Sequence, residues 1–481
     1  MTPRARSLAL SLTVLLVGCK VGPNYARPTA PVAPKFKELA GWKPSEPRDG
    51  IDRGAWWSVF ADADLDRLER QVEVSNQNVK QAEAAYREAV ALIHEAQSSL
   101  FPTLSVAPGV ARSQSSAGGS SFGGGLRTQY SVEGTASWDL DVWGKIRRQV
   151  ESQAAAAQAS AADLANAKLS AQGALATAYF ELRGADSLEQ LLADSVGDYQ
   201  RSLQIAQNQY DAGTASRGDV LAADVQVQST KALLVAAGVA RAQYEHAIAV
   251  LTGHPPADLT LAAAPLTVHV PVVPAGVPSE LLERRPDIAA AERTLQQQHA
   301  LIGVAIAGYY PTISLSALFG YAGNPLGSLF NVGNQVWSLG ASASETLFQG
   351  GYQSATVAAA RAGYDASVAA YRQTVLTAFQ QVEDELSDLR ILQLQQQAED
   401  STVAAARRAV DVTLNEYRAG TVAYTSVITE QTALLSAQQA QLTVQQSRLV
   451  ASVTLIQALG GGWDAAQLPD TGPEIALPPW P

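Results

Sequence analysis

Residues 130–143, YSVEGTASWDLDVW, decide the fold together with the proline-free run 144–210 that follows them. From 130 to 142 the even positions carry apolar or small side chains and the odd positions carry polar ones. Alternation with a period of two predicts a β-strand with one apolar and one polar face. As a single helix, the run that follows would span roughly 100 Å. A strand that leads directly into so long a helix predicts a mixed α and β protein.

The chain contains two copies of one unit. Pro-Thr at 102–103 recurs 209 residues later, and YDAGT at 210–214 recurs as YRAGT 207 residues later. Gly144 matches Gly350, 206 residues later. Repeats of this kind indicate that one structural unit has been duplicated, so each copy is expected to contain the same elements in the same order.

Each copy reads as a helix, a strand, a Gly-rich loop, a second strand, a very long helix, a tight turn and a long helix. The four predicted strands are 102–112, 128–143, 311–321 and 335–348, and the two loops are 113–125 and 322–334. Alternating strands of this length can cross a bilayer at a tilt of about 45°. A hairpin of a soluble β-sandwich alternates in the same way, so the strands alone leave both interpretations open.

The long helical runs carry heptad seams. The seam of the first copy is Leu175, Leu182, Glu189, Val196, Leu203 and Tyr210, and the seam of the second is Val382, Leu389, Gln396, Val403, Val410 and Tyr417. Both are interrupted by a polar residue at the same place. This spacing is typical of coiled coils and predicts long helices packed side by side.

The N-terminus reads as a secretory signal. Arg4 and Arg6 precede an apolar run that is too short to stay in a membrane as a spanning helix. The run ends in Leu-Val-Gly-Cys19, which resembles the lipobox of bacterial lipoproteins, where the cysteine becomes the lipid-modified first residue. Cys19 is the only cysteine, so we predict a lipid there rather than an ordinary signal with a chance cysteine. The next residue is Lys20 and not the aspartate that is associated with retention in the inner membrane, so the resemblance to lipoproteins implies the outer membrane.

Pro-rich segments separate and flank the two copies. They divide the chain into a signal peptide 1–18, a lipidated extended segment 19–61, a first repeat 62–253, an equatorial linker 254–286, a second repeat 287–462 and a C-terminal tail 463–481. Segments of this composition are extended or irregular.

Composition argues against several function classes. Lys plus Arg number 34 against 45 Asp plus Glu, a net charge of −11, so no basic field is available for nucleic acid. One cysteine and five scattered histidines offer neither a multi-cysteine metal site nor much acid–base capacity. The sequence has no P-loop, HExxH, CxxC or nucleotide fingerprint. We therefore predict no catalysis, no metal and no cofactor other than the lipid on Cys19.

Four strands cannot close a barrel, and an open sheet edge in lipid leaves backbone groups without hydrogen bonds. Several chains must therefore share one barrel. Two chains give eight strands and a lumen that side chains nearly fill, whereas three give twelve and leave room for water and solutes. A homotrimer is predicted, in which the long helices continue the barrel as a tunnel.

Four motifs resemble the lipoprotein branch of the TolC family of outer-membrane efflux factors, the OprM and CusC type. They are CKVGPNYARP at 19–28, WWSVF at 56–60, WDLDVWG at 138–144 and LERRPDI at 282–288. The resemblance implies a twelve-stranded barrel in the outer membrane and a twelve-helix periplasmic tunnel. It also implies a periplasmic adaptor protein and an inner-membrane pump of the RND type that supplies the energy. The expected function is a passive exit duct for drugs or other small toxic molecules.

The resemblance also points to individual residues. It places the turns near Gly213, Thr214, Gly420 and Thr421 at the tunnel tips, where the adaptor docks, and it makes Asp211, Arg217, Asp219 and Arg418 candidates for a gate. Alternation independently places Glu133, Asp139 and Asp141 on the polar face of the second strand, where they would line the lumen. This lining predicts a preference for cations.

Other functions stay open on the sequence. The same duct could serve type I protein secretion, or it could export metal ions as in the CusC relatives. A coiled-coil lipoprotein that spaces two membranes would need the heptads but not the alternating strands. An enzyme would have to use scattered Asp, Glu or His residues that form no motif.

Overall fold

The structure, a computed structural model, describes residues 20–38, 54–114, 126–271 and 281–470. The predicted signal peptide, the lipid site at Cys19, most of the first Gly-rich loop and the end of the C-terminal tail lie outside these residues. Within them, the chain folds into long helices and one sheet.

The first copy forms two shorter helices, a hairpin and two long helices. The helices are α1 (Ala63–Ser75), α2 (Gln77–Ser98), α3 (Lys145–Asp211) and α4 (Arg217–Leu251), and the strands are β1 (Thr103–Gln114) and β2 (Leu126–Leu140). Asp62 and Asn76 cap α1 and α2, since each carboxyl or amide oxygen accepts two backbone N–H bonds.

The second copy repeats this order. Its helices are α5 (Leu281–Arg284), α6 (Pro286–Ala307), α7 (Tyr352–Arg418) and α8 (Tyr424–Ala458), and its strands are β3 (Thr312–Gly323) and β4 (Gln335–Ser344). The long helices α3 and α7 both have 67 residues, and α4 and α8 both have 35. The duplication is therefore preserved in element length as well as in order.

The four strands form one antiparallel sheet in the order β1-β2-β3-β4. Thr103 pairs with Ser137 in the first hairpin, and their counterparts Thr312 and Ser344 pair in the second. The two copies meet where Thr135 of β2 pairs with Leu318 of β3. Since β1 and β4 are the two ends of the order, each has one edge without a partner strand among the described residues.

The structure corrects one match between the copies. The residue before α3 is Gly144 and the residue before α7 is Gly351, and both are left-handed, with φ of 77° and 88°. Gly144 therefore corresponds to Gly351, 207 residues later, rather than to Gly350. The same shift of 207 relates β2 to β4, whereas β1 and β3 are related by 209.

Two predicted strands end earlier than the alternation suggested. β2 ends at Leu140 instead of 143, because the Asp141 carboxylate accepts bonds from the backbone N–H groups of Ile146 and Arg147 and turns the chain into α3. β4 ends at Ser344 instead of 348. Before α7, Gly350 and Gly351 both have positive φ, which a strand does not accommodate.

The principal core lies at the middle of the helical part. The short 3-10 helix Trp56–Phe60 and helix α1 insert Trp56, Phe60 and Leu65 against the aromatic and aliphatic side chains of α3 and α8. The Trp56 indole donates a hydrogen bond to Gln172 Oε1 at 3.1 Å. Burial of these large rings stabilises the point at which the long helices are held together.

Buried ion pairs and hydrogen bonds attach the Pro-rich linker to this core. Asp186 is buried and accepts bonds from Arg183, from Arg241 and from the backbone N–H of Ala264. Leu261 is buried in the core beside them. The linker is helical at Pro256–Asp258 and in α5, contrary to the prediction that it is extended or irregular throughout. From 259 to 271 its backbone is irregular but fixed in place, because its polar groups are satisfied by α3 and α4.

The heptad seams pack as coiled coils over most of their length. In α3 the seam residues Leu175, Leu182 and Val196 are buried, and in α7 Val382, Leu389 and Val403 are buried. The last positions differ between the copies. Tyr210 is 42% exposed, whereas its counterpart Tyr417 is 3% exposed. The end of α7 is thus covered by its own chain, and the end of α3 is not.

Candidate functional site at the sheet and the helical tips

The sheet has one apolar and one polar face, and both are open in the single chain. On the apolar face Leu104 is 69% exposed and Trp337 is 68% exposed. On the polar face hydroxyls pair across strands, Ser105 with Thr135 at 2.7 Å and Ser314 with Ser342 at 2.8 Å. Exposed large apolar side chains along a whole sheet face are typical of contact with lipid or with a partner.

Two of the three predicted lumen residues lie on the polar face. Glu133 and Asp139 belong to β2 and share that face with Thr135. Asp141 does not, so the prediction that placed it on the polar face of the second strand was wrong. It follows the end of β2, its side chain is 8% exposed, and its carboxylate pairs with Arg147 at 3.0 Å. Its oxygens are used to cap α3 and are not directed along the sheet.

Two tryptophans fix the junction between sheet and helices. The Trp138 indole donates to the carbonyl of Leu100, and the Trp143 indole donates to the carbonyl of Pro311, both at 2.9 Å. Trp143 also stacks on Tyr310, with ring centroids 4.9 Å apart. Trp143 thereby joins the end of the first copy's hairpin to the start of the second copy's strand.

The segment that follows Cys19 runs across this junction. The Val21 N–H donates to the Trp143 carbonyl at 3.1 Å, and Lys20 forms an ion pair with Glu151 of α3. Arg148 is 1% exposed and donates to the carbonyls of Val21, Gly22 and Pro23. We call residues 20–38 the strap. The sequence analysis did not select Arg148. The one signal for it in the sequence was its position in the first turn of a very long helix.

The strap approaches the helices closely. Gly22 has a φ of +89°, and a Cβ added there would lie 2.8 Å from Gly303 Cα. Further along, the Tyr25 hydroxyl donates to Glu292, and the N–H groups of Lys37 and Glu38 donate to Glu383 of α7. The strap therefore connects α3, α6 and α7.

The helical tips are tight turns. Gly213 and Gly420 have φ of +78° and +74°, as expected for glycines that end a helix. The Thr214 and Thr421 hydroxyls each donate back to a carbonyl of the preceding helix, at 3.0 and 2.9 Å. Ser216 caps α4 in a reciprocal pair with Asp219. These hydrogen bonds define the conformation of both turns, which lie on the surface of the single chain.

The four gate candidates do not pair with one another within the described chain. Asp211 accepts from Gln207, and Arg418 donates to Asn415. Asp219 is used in the capping pair with Ser216, while Arg217 begins α4. All four lie at the tips, which is where the sequence placed them.

Tyr417 is a tip residue that the gate prediction missed. Its ring packs edge to face on Tyr424 at 5.1 Å, and its buried hydroxyl has no hydrogen-bond partner in the described part of the chain. Burial raises the pKa of the Tyr417 phenol, and the negative charge of Asp219 raises it further. The signal in the sequence was its place as the last residue of the second seam.

Comparison with known proteins decides the family. The family described as Outer membrane efflux protein matches residues 68–254 and 277–461. These two ranges correspond to the two copies. This chain belongs to the outer membrane efflux protein family. It is accordingly an outer-membrane channel component of efflux pumps that extends into the periplasm.

Individual relatives cover nearly the whole chain. The toluene efflux pump outer membrane protein TtgC of Pseudomonas putida is 30% identical over 96% of both chains. The structure of the outer-membrane channel OprN is 31% identical, with a TM-score of 0.87, over 92% of this chain and all of that one. The open state of MtrE from Neisseria gonorrhoeae is 29% identical, with a TM-score of 0.83, over 93% and 99%.

None of the helices in the described residues is both long enough and apolar enough to span a membrane. Among the same residues, no three His, Cys, Asp or Glu side chains are grouped so as to hold a metal ion.

Proposed function

We propose that three copies of this chain share one twelve-stranded barrel and form a single duct through the outer membrane and periplasm. The observation that carries this proposal is the four-stranded sheet, which has an exposed apolar face and, within the described ranges, two edges without partner strands. In lipid an unpaired edge is costly, so β4 of one copy pairs with β1 of the next. Three copies give a lumen wide enough for solutes.

The duplication predicts the register of that pairing. Within the chain Thr135 of β2 pairs with Leu318 of β3. The counterpart of Thr135 is Ser342, 207 residues later, and the counterpart of Leu318 is Gly109, 209 residues earlier. Ser342 of one copy is therefore expected opposite Gly109 of the next.

Engineered cysteines test this pairing. In one chain β1 and β4 are three strand spacings apart, about 14 Å, so a disulfide between them must join two chains. With Ser342→Cys and Gly109→Cys on one chain, oxidation should give a covalent series that stops at three copies. Cys19 is kept in every variant. Ser338→Cys with Ala107→Cys is the control, since these positions are about 20 Å out of register. A series ending at two copies would contradict the trimer.

We also propose that Cys19 carries the lipid. Lys20 and Val21, the next two residues, are held at the junction of sheet and helices by Glu151 and by the Trp143 carbonyl. That junction is the level at which a membrane surface would meet the helices. Intact mass of the membrane-extracted protein should show acyl chains on Cys19, and Cys19→Ser should lack them. An unmodified wild-type chain would refute the anchor.

The remaining proposal concerns partners and cargo. The chain would receive small organic molecules from an RND-type pump through a periplasmic adaptor, as the name of its relative, a toluene efflux protein, suggests. Expression in a host that lacks its own outer-membrane efflux channel, together with a matching adaptor and pump, should restore growth with toluene. Restored protein secretion alone would favour type I secretion, and restored copper tolerance alone would favour metal efflux.

A further inference from the structure

The loop between β3 and β4, residues 324–334, exposes large apolar side chains at the end of the sheet that lies away from the helices. Leu326, Phe330 and Val332 are exposed, the last by 84%. Leu329 is buried, and its N–H donates to the Leu326 carbonyl at 3.1 Å. The exposed side chains therefore belong to a loop with a defined conformation. We call residues 324–334 the outer loop.

The outer loop leans over the apolar face of the sheet. The Phe330 ring packs edge to face on Tyr321, with ring centroids 5.4 Å apart. Tyr321 is on the apolar face, because it lies directly opposite Val132 in the pairing of β2 with β3. Gly323, two residues later, is on the same face, and a Cβ added to it would lie 2.6 Å from Asn334 Cγ. Two contacts thus place the loop on this side of the sheet.

The outer loop continues a belt of aromatic side chains on the apolar face. The Phe319 ring contacts Tyr321, with centroids 6.2 Å apart, and Phe319 pairs with Trp337 of β4. Both Phe319 and Trp337 are exposed in the single chain. Aromatic side chains at the end of an apolar barrel face are typical of the boundary between lipid and water. Phe330 lies at the outer edge of this belt.

The second hairpin is uncharged throughout its sequence. From 312 to 344 there is no Asp, Glu, Lys or Arg, whereas the first hairpin has Arg112 and Arg127 near the same end of the sheet. Exposed apolar side chains that form one patch mark contact with a membrane or with a protein. Because the outer loop has no charge and is continuous with the apolar face, the membrane is the partner that fits it.

We infer that the outer loop enters the outer leaflet of the membrane, with Phe330 as its anchor, and does not lie over the mouth of the duct. Its partner is the lipid surface itself. This inference rests on the shared barrel proposed above, which puts the apolar face against lipid and the polar face toward the lumen. It extends the contact with lipid from the strands to a loop that could otherwise have covered the lumen.

Fluorescence quenching tests where the outer loop lies. Val332 is the position for the label, because it stands between Phe330 and Asn334, the two residues that contact the apolar face. Val332→Cys carries an NBD dye, and the protein is reconstituted into phosphatidylcholine vesicles in which some lipids bear a nitroxide. The dye should lose most of its emission to the nitroxide lipid and little to iodide present on both sides of the bilayer.

Ser338→Cys is the matched control. Ser338 lies in β4 on the polar face, which it shares with Ser342, and it is exposed in the single chain. A dye there should show the reverse pattern, with strong quenching by iodide and little by the nitroxide lipid. Cys19 is kept in every variant, and the wild type carried through the same labelling gives the background.

The contact of Phe330 with Tyr321 gives a second test. With the dye at 332, Tyr321→Ala removes the ring on which Phe330 packs, so quenching by the nitroxide lipid should fall and quenching by iodide should rise. Leu339→Ala should change neither, since Leu339 is on the same face but further from the loop. An unchanged pattern in Tyr321→Ala would overturn the role of Phe330 as the anchor.

The outcomes separate this inference from the proposal on which it depends. If iodide reaches the dyes at 332 and 338 equally, the outer loop lies in water, and the inference is wrong while the barrel stands. If neither quencher reaches 332, the loop is covered by a neighbouring chain, which also overturns the inference. If the nitroxide lipid quenches 338 as strongly as 332, the assignment of the two faces is wrong and the shared barrel falls with it.

Discussion

At the scale of single residues, Glu69 is the most unusual group in the described chain. Its carboxyl is fully buried in α1, and neither oxygen has a hydrogen-bond partner among the residues that the structure describes. Burial raises the pKa of Glu69 to about 9, and the neighbouring Glu73 and Asp66 charges add to the shift. The group is therefore neutral in the folded chain at pH 7 and ionised in the unfolded chain.

This shift predicts how stability depends on pH. The folded state holds one more proton than the unfolded state between pH 4.5, the unfolded pKa, and about 9. The stabilising effect of this extra proton on the free energy of unfolding is fully present below pH 4.5. As pH rises, the free energy of unfolding falls by at most about 1.4 kcal/mol per pH unit, and this loss ends above pH 9. Glu69→Gln should raise Tm at pH 8 more than at pH 5. An equal change at both would refute the buried neutral acid.

Arg148 is the second residue whose environment gives a prediction. It donates to three strap carbonyls and pairs with Glu151 at 2.9 Å while almost fully buried. Removing this buried donor leaves its carbonyl acceptors without a partner, at a cost of about 1–3 kcal/mol. Arg148→Ala should lower stability by that amount and expose the strap to protease. Arg201→Ala, which breaks only a pair between exposed side chains, should change neither.

At the scale of elements, the tips depend on two glycines. Gly213 and Gly420 have positive φ, and no atom of the described residues lies within 4 Å of an added Cβ. An alanine at either site meets no clash, and its cost of about 1 kcal/mol comes from the backbone alone. Each tip should then exchange its amide hydrogens faster in Gly213→Ala or Gly420→Ala.

A glycine inside a helix is the matched control for the tips. Gly197 lies in α3, and an added Cβ there meets only Arg201 at an ordinary distance of 3.8 Å. Gly197→Ala should therefore stabilise the chain slightly, since alanine is the better helix former. If the tip variants also weaken cross-linking to an adaptor protein and Gly197→Ala does not, the turns are the docking site. Unchanged cross-linking would exclude that role.

At the scale of the whole molecule, the polar face of the sheet bears acidic side chains and faces the proposed lumen. Glu133 and Asp139 lie on that face, and three copies would multiply the charge. Channels in planar bilayers should prefer cations, and Glu133→Gln with Asp139→Asn should reduce the preference. Asp141→Asn should not, because its carboxylate is bonded to Arg147 outside the sheet. An anion preference in the wild type would contradict the lumen assignment.

Periodicity in the sequence determined the four strands, the two very long helices and the duplication, because each of these is a local and repeated pattern. The turns at Gly213 and Gly420 were predictable for the same reason, since few residues other than glycine take positive φ. Motif resemblance added the family, and the comparisons confirmed it.

Only the tertiary structure decided contacts between distant residues. Alternation continued through Asp141, but a carboxylate that can cap the next helix ended the strand there. Arg148 looked like any helical arginine until the strap was seen to fold over it. Local pattern sets the elements, whereas burial and pairing depend on what the rest of the chain brings alongside.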